Sequence, residues 1–376
     1  MSHAPSQPRR LQALIHKEFL QILRDPSSIA IAFLLPVLLL LIFGYGVSLN
    51  ARDVPLAVVL DKHDTSAGSF IAELEHSPWF RPVYMSNMKE ASSALLAGRV
   101  NGIVRLRANF VRRIKGGGTA PVQILVNGVD ANNGRLVLGY LLGAWFQWIG
   151  HQAQIDRLAL RPPVVLEQRV WYNAPLESRW FLVPGLIAVI MTLIGALLTA
   201  MVVAREWERG TMEALMATPV TLAEILLGKL IPYFLLGIGG LVLSVAMAVW
   251  QFEVPMRGSW GVLLLGSALF LLVALGMGLL ISILARNQFV AGQVAIIVTF
   301  LPAFILSGFI FDIGSMPAAV QWITHIIPAR YYVAILQTVF LAGDVSAVIT
   351  PNALVLGLMA LLFIALARAR MHKRIE

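Results

Sequence analysis

Six long runs of apolar residues constrain this chain more than anything else in its sequence. They are Ile29–Leu49, Trp180–Val203, Leu226–Trp250, Val262–Ala285, Phe289–Phe311, and Leu354–Ala367 with its flanks. A helix needs about 20 apolar residues to cross the hydrocarbon of a bilayer. Charges stay out of the middle of such runs because each costs roughly 2.5–3.5 kcal/mol there. Here only Lys229 intrudes, near one end. Of the 376 residues, 58% are hydrophobic and 13% are charged, about half the charge of a soluble domain. The fold class expected is a polytopic α-helical membrane protein of six spans. The first run is too long for the apolar core of a cleaved signal peptide, about 7–15 residues, so it reads as an uncleaved span, kinked at Pro36.

Residues 50–178 differ in kind. Short apolar runs (Leu56–Leu60, Val83–Met85, Gly102–Val104, Val122–Val126) alternate with helix-like stretches near Ser66–Glu75, Met88–Leu96 and Arg107–Ile114. Such alternation predicts a compact inserted α/β domain. Asp61, Lys115-Gly116-Gly117-Gly118 and Asn127-Gly128 mark its turns, and Val164–Tyr172 reads as a last strand. The uncharged segment Leu136–Ile149 is too short to span and is placed in a long helix, about Ala131–Arg157, within this domain.

Orientation follows from the basic residues. Arg9, Arg10, Lys17 and Arg24 precede the first span, Arg205, Arg209 and Lys229 flank the second and third, Arg286 separates the fourth and fifth, and Arg368, Arg370, Lys373 and Arg374 end the chain. Only Arg257 and Arg330 fall in the opposite short loops. The positive-inside rule then puts both termini in the cytoplasm and the α/β domain outside. Trp180, Trp250 and Trp260 fall at the outer ends, as interfacial indoles should. The formal charge of +9 is thus spread over loops rather than gathered in a nucleic-acid stripe, and no nucleic-acid partner is expected.

Two cytoplasmic stretches carry the remaining signal. Arg9–Arg24 reads as an amphipathic helix with Leu11, Leu14, Ile15, Phe19, Ile22 and Leu23 on its apolar face, suited to the headgroup region; Asp25-Pro26 stops it. The hairpin Ala204–Lys229 begins with Arg205, Glu206, Glu208, Arg209 and Glu213, is interrupted at Gly210-Thr211, and is closed by Pro219. Met212, Leu215 and Met216 recur at helical spacing. Glu206, Glu208 and Glu213 are expected to remain available to basic groups of a soluble partner.

The stretch Arg205-Glu206-Trp207-Glu208-Arg209-Gly210-Thr211-Met212-Glu213 resembles the R-E-R-E-x-G-T-x-E loop of type-2 ABC exporter permeases, with Trp207 in place of the commoner basic residue. Lys17-Glu18 and Arg24-Asp25-Pro26 resemble the start of the same family. So does the outer segment: Leu301-Pro302, Leu306-Ser307-Gly308, Met316-Pro317, Gln321 and Pro328-Ala329-Arg330-Tyr331-Tyr332. Its runs Met316–Ile327 and Tyr331–Ala342 are too short to span and predict a re-entrant or interfacial helical pair, residues 315–345. The resemblance covers essentially the whole chain, and the inserted domain is typical of the long-loop drug-efflux branch. It divides the chain into an interface helix (1–26), a first span (27–49), the external (periplasmic) domain (50–178), and spans two to six (179–376) with a coupling hairpin at 204–225.

The resemblance implies a permease subunit of an ATP-driven exporter in the bacterial inner membrane, with drugs or other amphipathic compounds as cargo. Arg205, Glu206, Glu208, Gly210, Thr211 and Glu213 would dock a separate cytoplasmic ATPase. Pro302, Ser307, Gly308, Pro317, Pro328, Arg330 and Tyr331 would form an outer gating motif. ATP and Mg would be held by the ATPase, with no cofactor, metal or catalytic residue in this chain. A second permease chain, identical or not, is implied, and a periplasmic adaptor is a further partner. Gly276 and Gly278, or Gly237, Gly239 and Gly240, could let helices approach closely. The chain holds no Walker A loop, no cysteine and seven scattered histidines. Uncharged spans disfavour a gradient-driven carrier, which needs intramembrane ionisable groups. That carrier and a membrane-anchored sensor are the rival readings.

Overall fold

The computed structural model describes residues 7–46, 53–61, 65–107, 122–126, 131–155 and 177–371. The chain divides into two compact units, Leu49–Arg169 and the remainder. The expected helix at Arg107–Ile114, the glycine turn at 115–118, the Asn127-Gly128 turn and the strand at 164–172 lie outside the described residues, as does the side chain of Met216.

In the inserted unit, β1 (Val54–Leu60), β2 (Phe80–Met85), β3 (Gly102–Leu106) and β4 (Val122–Val126) form one sheet in the order β2-β1-β3-β4. β1 pairs in parallel with both β2 and β3, and β4 runs antiparallel to β3. A central strand covered on both faces should be apolar at every position, and β1 obeys. Leu56 and Val58 face Phe70, Ile71 and Leu74 of α3 (Thr65–His76) and Val137, Leu141 and Trp148 of α5 (Ala131–Ile155). Ala57 and Val59 face Ala91 and Ala94 of α4 (Met88–Leu96). The 14-residue apolar segment therefore belongs to a helix packed on the sheet. Asn87 caps α4 by accepting from the Glu90 amide at 2.8 Å, and Glu90 reaches back to the Ser86 amide at 3.1 Å.

The other unit opens with α1 (Gln7–Leu23), here the interface helix. Six described helices are long and apolar enough to span: α2 (Pro26–Gly46), α6 (Ser178–Glu208), α8 (Leu222–Gln251), α9 (Trp260–Ala285), α10 (Gln288–Leu306) and α13 (Ser346–Arg370). The short α7 (Thr211–Ala217) joins α6 to α8. Between α10 and α13 lie α11 (Ala318–Thr324) and α12 (Pro328–Ala342), bent 84° from each other. Pro36 lacks the amide that Ala32 would need, and the irregularity appears as a π-turn over Ala30–Leu34.

α6 is the hub: 83% of its apolar window is buried, against 11% for α13 and 22% for α10. At Gly278 a Cβ would lie 2.2 Å from the Ala196 carbonyl, so only glycine lets α9 touch the α6 backbone. Gly240 likewise abuts the Ala32 carbonyl; these glycines serve packing within the chain. Buried hydroxyls stitch the same pair of helices: Thr199 donates to the Leu275 carbonyl at 2.9 Å, and Ser282 accepts from the amides of Val203 and Ala204. Each meets the need of a buried polar group for a partner.

Candidate functional site

The second span does not end where its apolar run ends. α6 continues to Glu208, so Arg205 and Glu206 occupy its last turns and are 7% and 4% exposed. Glu206 Oε1 accepts from Lys17 Nζ at 2.8 Å and from Lys229 Nζ at 3.2 Å. Its other oxygen accepts the Thr211 hydroxyl. Lys229 also donates to Glu18 Oε1 at 2.8 Å. Arg205 Nη1 meets Asp25 Oδ2 at 2.8 Å. Buried Glu18, Glu206 and Lys229, with the solvent-exposed ammonium of Lys17 on their rim, thus form one ionic group joining α1, α6 and α8, with the Arg205–Asp25 pair beside it at the mouth of α2. Buried charges persist only when paired and hydrogen-bonded; each buried charge here has an opposite partner, although Glu18 Oε2 accepts no hydrogen bond among the described residues.

This corrects the expectation that Glu206 stays available to a partner; its carboxylate is committed inside the chain. Charge type and spacing do not distinguish an acid facing water from one facing Lys229. Burial disfavours the Lys17 ammonium, but its bond to Glu206 and the charge of Glu18 outweigh this and hold its pKa above the ordinary 10.5. Burial likewise works against the Asp25 carboxylate. Hydrogen bonds from Ser27, Arg205 and Ser28 prevail, and the group lies well below the usual carboxylate range.

Past this network the hairpin turns to water. Gly210 holds φ 66°, the left-handed region, and leads into α7. A Cβ there would touch nothing, so the requirement is conformational rather than steric. Met212 is fully buried beneath α7, while Glu208, Arg209, Gly210, Thr211 and Glu213 are exposed. Glu208 accepts from the Gln288 amide at 3.0 Å, placing a carboxylate at the N-terminus of α10, where the helix dipole favours it. Arg286 lies 5.0 Å above the Trp207 ring. The position where the type-2 loop commonly carries a basic residue is thus met by a cation from the next loop. Thr221 and Glu224 form a reciprocal cap that starts α8, and Arg10 donates to the Pro219 carbonyl at 2.7 Å.

The expected outer motif gathers around the bend between α11 and α12. Pro317 and Pro328 stand at the starts of the two helices. Arg330 donates to the Thr324 hydroxyl, and Tyr331 to the His325 carbonyl at 2.8 Å. Ser307 is buried, accepting from the Phe309 amide at 3.4 Å, and Gly308 holds φ 86° where α10 ends. Pro302 follows a π-turn over Ile296–Phe300. The buried Tyr332, part of the outer motif but not among the expected gating residues, stacks on Phe270 at 4.2 Å and donates to Ser267 at 2.7 Å. These contacts fix a corner; the hairpin residues lie in a different part of the unit.

Comparisons with known proteins place the chain in a family. Residues 26–369 match the model of the ABC-2 family transporter protein family. The chain is 43% identical over 369 residues to the probable multidrug ABC transporter permease YbhS of Escherichia coli (strain K12), covering 98% of each. It is 30% identical to the probable multidrug ABC transporter permease YbhR of the same organism, over 92% of this chain and 93% of that one. It is 28% identical to the inner membrane transport permease YhhJ of Escherichia coli (strain K12), over 90% and 93%.

Proposed function

The chain belongs to the ABC-2 family of transporter proteins, and from that premise we propose how this exporter permease is driven and what it carries. An ATPase subunit docks on the exposed arc of the hairpin, Glu208, Gly210, Thr211 and Glu213. Arg205 and Glu206 do not touch the ATPase. They bind the same helix end to α1 and α8, so a push on α7 reaches the hub helix α6 and two further elements together. The observation that carries this reading is the division within one short stretch between water-facing acids and buried, paired charges. ATP and Mg sit on the ATPase, and two permease chains face each other to enclose the route.

The cargo is a drug-like or other amphipathic compound moved outward. Uncharged span centres support it, as do the names of the similar permeases. Both termini and the hairpin face the cytoplasm of a bacterial cell, and the inserted domain faces the periplasm, where an adaptor meets it. The bend held by Pro317, Pro328, Arg330 and Tyr331, with Pro302, Ser307 and Gly308 below it, forms the outer gate.

The test is Glu208→Ala with Glu213→Ala in the full chain, purified in mild detergent with its ATPase. Co-purification and ATPase stimulation should fall while the permease loses no more than about 1 kcal/mol of stability, the scale of the contact Glu208 makes with the start of α10. A doubly substituted permease that still holds and stimulates its ATPase would remove the docking assignment.

A further inference from the structure

A groove of about 780 Å³ opens between α1, the end of α6 and the start of α10. Its walls carry His16 and Lys17 from α1, Arg24 just past the end of α1, Arg205 from α6, Arg209 just past the end of α6, and Gln288 from α10. The one acid lining it, Asp25, is already spent. One of its oxygens accepts from the amide and hydroxyl of Ser27, the other from Ser28 and Arg205. Lys17 is shared with Glu206 and Glu18. Arg24 and Arg209 are exposed, and neither guanidinium has a partner among the described residues. The groove therefore carries surplus positive charge in the form of two guanidiniums, the side chain best shaped for bidentate contact with phosphate oxygens.

Its depth identifies the occupant. Asp25, in the wall, directly precedes the first span, so the groove opens at the boundary between hydrocarbon and water. Apolar side chains flank it on both sides and stand free: Leu20 and Leu23 on α1, Ile29 on α2, and Phe289 beside Gln288 on α10, with Leu23 68% and Phe289 72% exposed. A soluble acidic segment would have no use for such a rim, whereas a phospholipid presents phosphate and acyl chain together. Basic pockets between membrane helices bind acidic headgroups for this reason. We propose that this groove is a binding site for the phosphate headgroup of an anionic phospholipid, gripped by Arg24 and Arg209, with its acyl chains lying along α2 and α10. A lipid held there would brace α1 against the ends of α6 and α10, independently of any ATPase.

The full chain in neutral detergent would be titrated with phosphatidylglycerol, phosphatidylcholine and inorganic phosphate, and binding followed by native mass spectrometry and the unfolding midpoint. Wild type should bind phosphatidylglycerol saturably and phosphatidylcholine at least tenfold more weakly. Arg24→Gln with Arg209→Gln should lose about tenfold or more in affinity for phosphatidylglycerol, on the scale of two headgroup cations removed. Arg24→Lys with Arg209→Lys, which keeps the charge, should recover part of the binding. Arg99→Gln, exposed in the inserted unit, should change nothing. If the Gln pair misfolds, the Lys pair and the wild-type lipid preference still decide. Equal saturation by inorganic phosphate would make this a free-phosphate site and overturn the proposal. So would unchanged phosphatidylglycerol binding in the folded Gln pair. Loss of ATPase co-purification by that pair, with lipid binding intact, would reassign the groove to a protein partner.

Discussion

Glu206 and Glu213 belong to one charged stretch and carry the same side chain, yet the fold uses them oppositely. Glu206 lies on the last turns of the hub helix, 4% exposed, between two ammoniums. Glu213 lies on the first turn of α7 and faces water. The difference comes from where the apolar packing ends. α6 stays helical and buried beyond its hydrophobic run, so the first charges of the hairpin are drawn inside, and cations from α1 and α8 must follow them. Beyond Gly210 the backbone has turned, and charge costs little. An element meant to transmit force between a soluble partner and a membrane helix requires both kinds of residue: one rigidly fixed, the other accessible.

The sharpest way to break the comparison is to treat the two acids alike. Glu206→Ala would leave Lys229, 3% exposed, with Glu18 as its only acid. Removing one partner from a buried ionic group costs about 3–5 kcal/mol, so the unfolding midpoint should drop sharply or the protein should fail to accumulate. Glu206→Gln with Lys229→Met should recover more than half of that loss, because Lys17 and Glu18 remain a pair at 3.5 Å. No recovery would mean that the charges act separately. Glu213→Ala should stay within about 0.5 kcal/mol of wild type, as surface substitutions do.

Gly210 marks the boundary between the two regimes, and its substitution comes next in size. At φ 66° a β-branched side chain is strained by about 1–2 kcal/mol. Gly210→Val should therefore lower the midpoint and misdirect α7, reducing ATPase stimulation. Gly210→Asn, which tolerates this conformation, should retain both. Because a Cβ would meet no atom within 4 Å, a crowding explanation predicts that Asn and Val behave no worse than Ala. Equal behaviour of Val and Asn would show that the left-handed turn is dispensable.

Much of this could be read from the sequence. The six spans follow from length and missing charge. The strand Val122–Val126 and the helix Met88–Leu96 follow from period and turn residues, and the expected run Leu56–Leu60 is the greater part of the strand Val54–Leu60. The 14-residue segment inside α5 is too short to span, and the basic tail, which would otherwise lie outside, settles its place. What the sequence concealed was pairing across distance: Glu18 with Lys229, and Glu206 with both lysines. Charged residues near span ends read as solvated flanks, because nothing local says which way they turn. One signal was present. Lys229 sits two turns inside an apolar helix begun by the Thr221 cap, and a cation so placed demands an acid. The motifs at Pro317, Pro328 and Arg330 are legible as a resemblance, but the tie across the bend, from Arg330 to Thr324 and from Tyr331 to the His325 carbonyl, is seen only in the hydrogen bonds.

The smallest expected effect is an absence of change with pH, and it tests whether the ionic anchor is permanent. The folded pKa of Asp25 is depressed, so its contribution is fully present above its unfolded value of about 3.9 and is lost only as pH falls through the folded one. The folded pKa of Lys17 is raised above 10.5; its contribution is present below that value and is lost as pH rises through the folded one. Both signs leave a plateau between about pH 5 and pH 9. Asp25→Asn should therefore lower the midpoint by the same amount at every pH in that window, with the gap closing only in strong acid. A gap that halves between pH 6 and pH 8 would mean that the anchor titrates under working conditions. The buried end of the hairpin would then be a switch, and its contrast with the exposed end would depend on pH rather than being fixed by the fold.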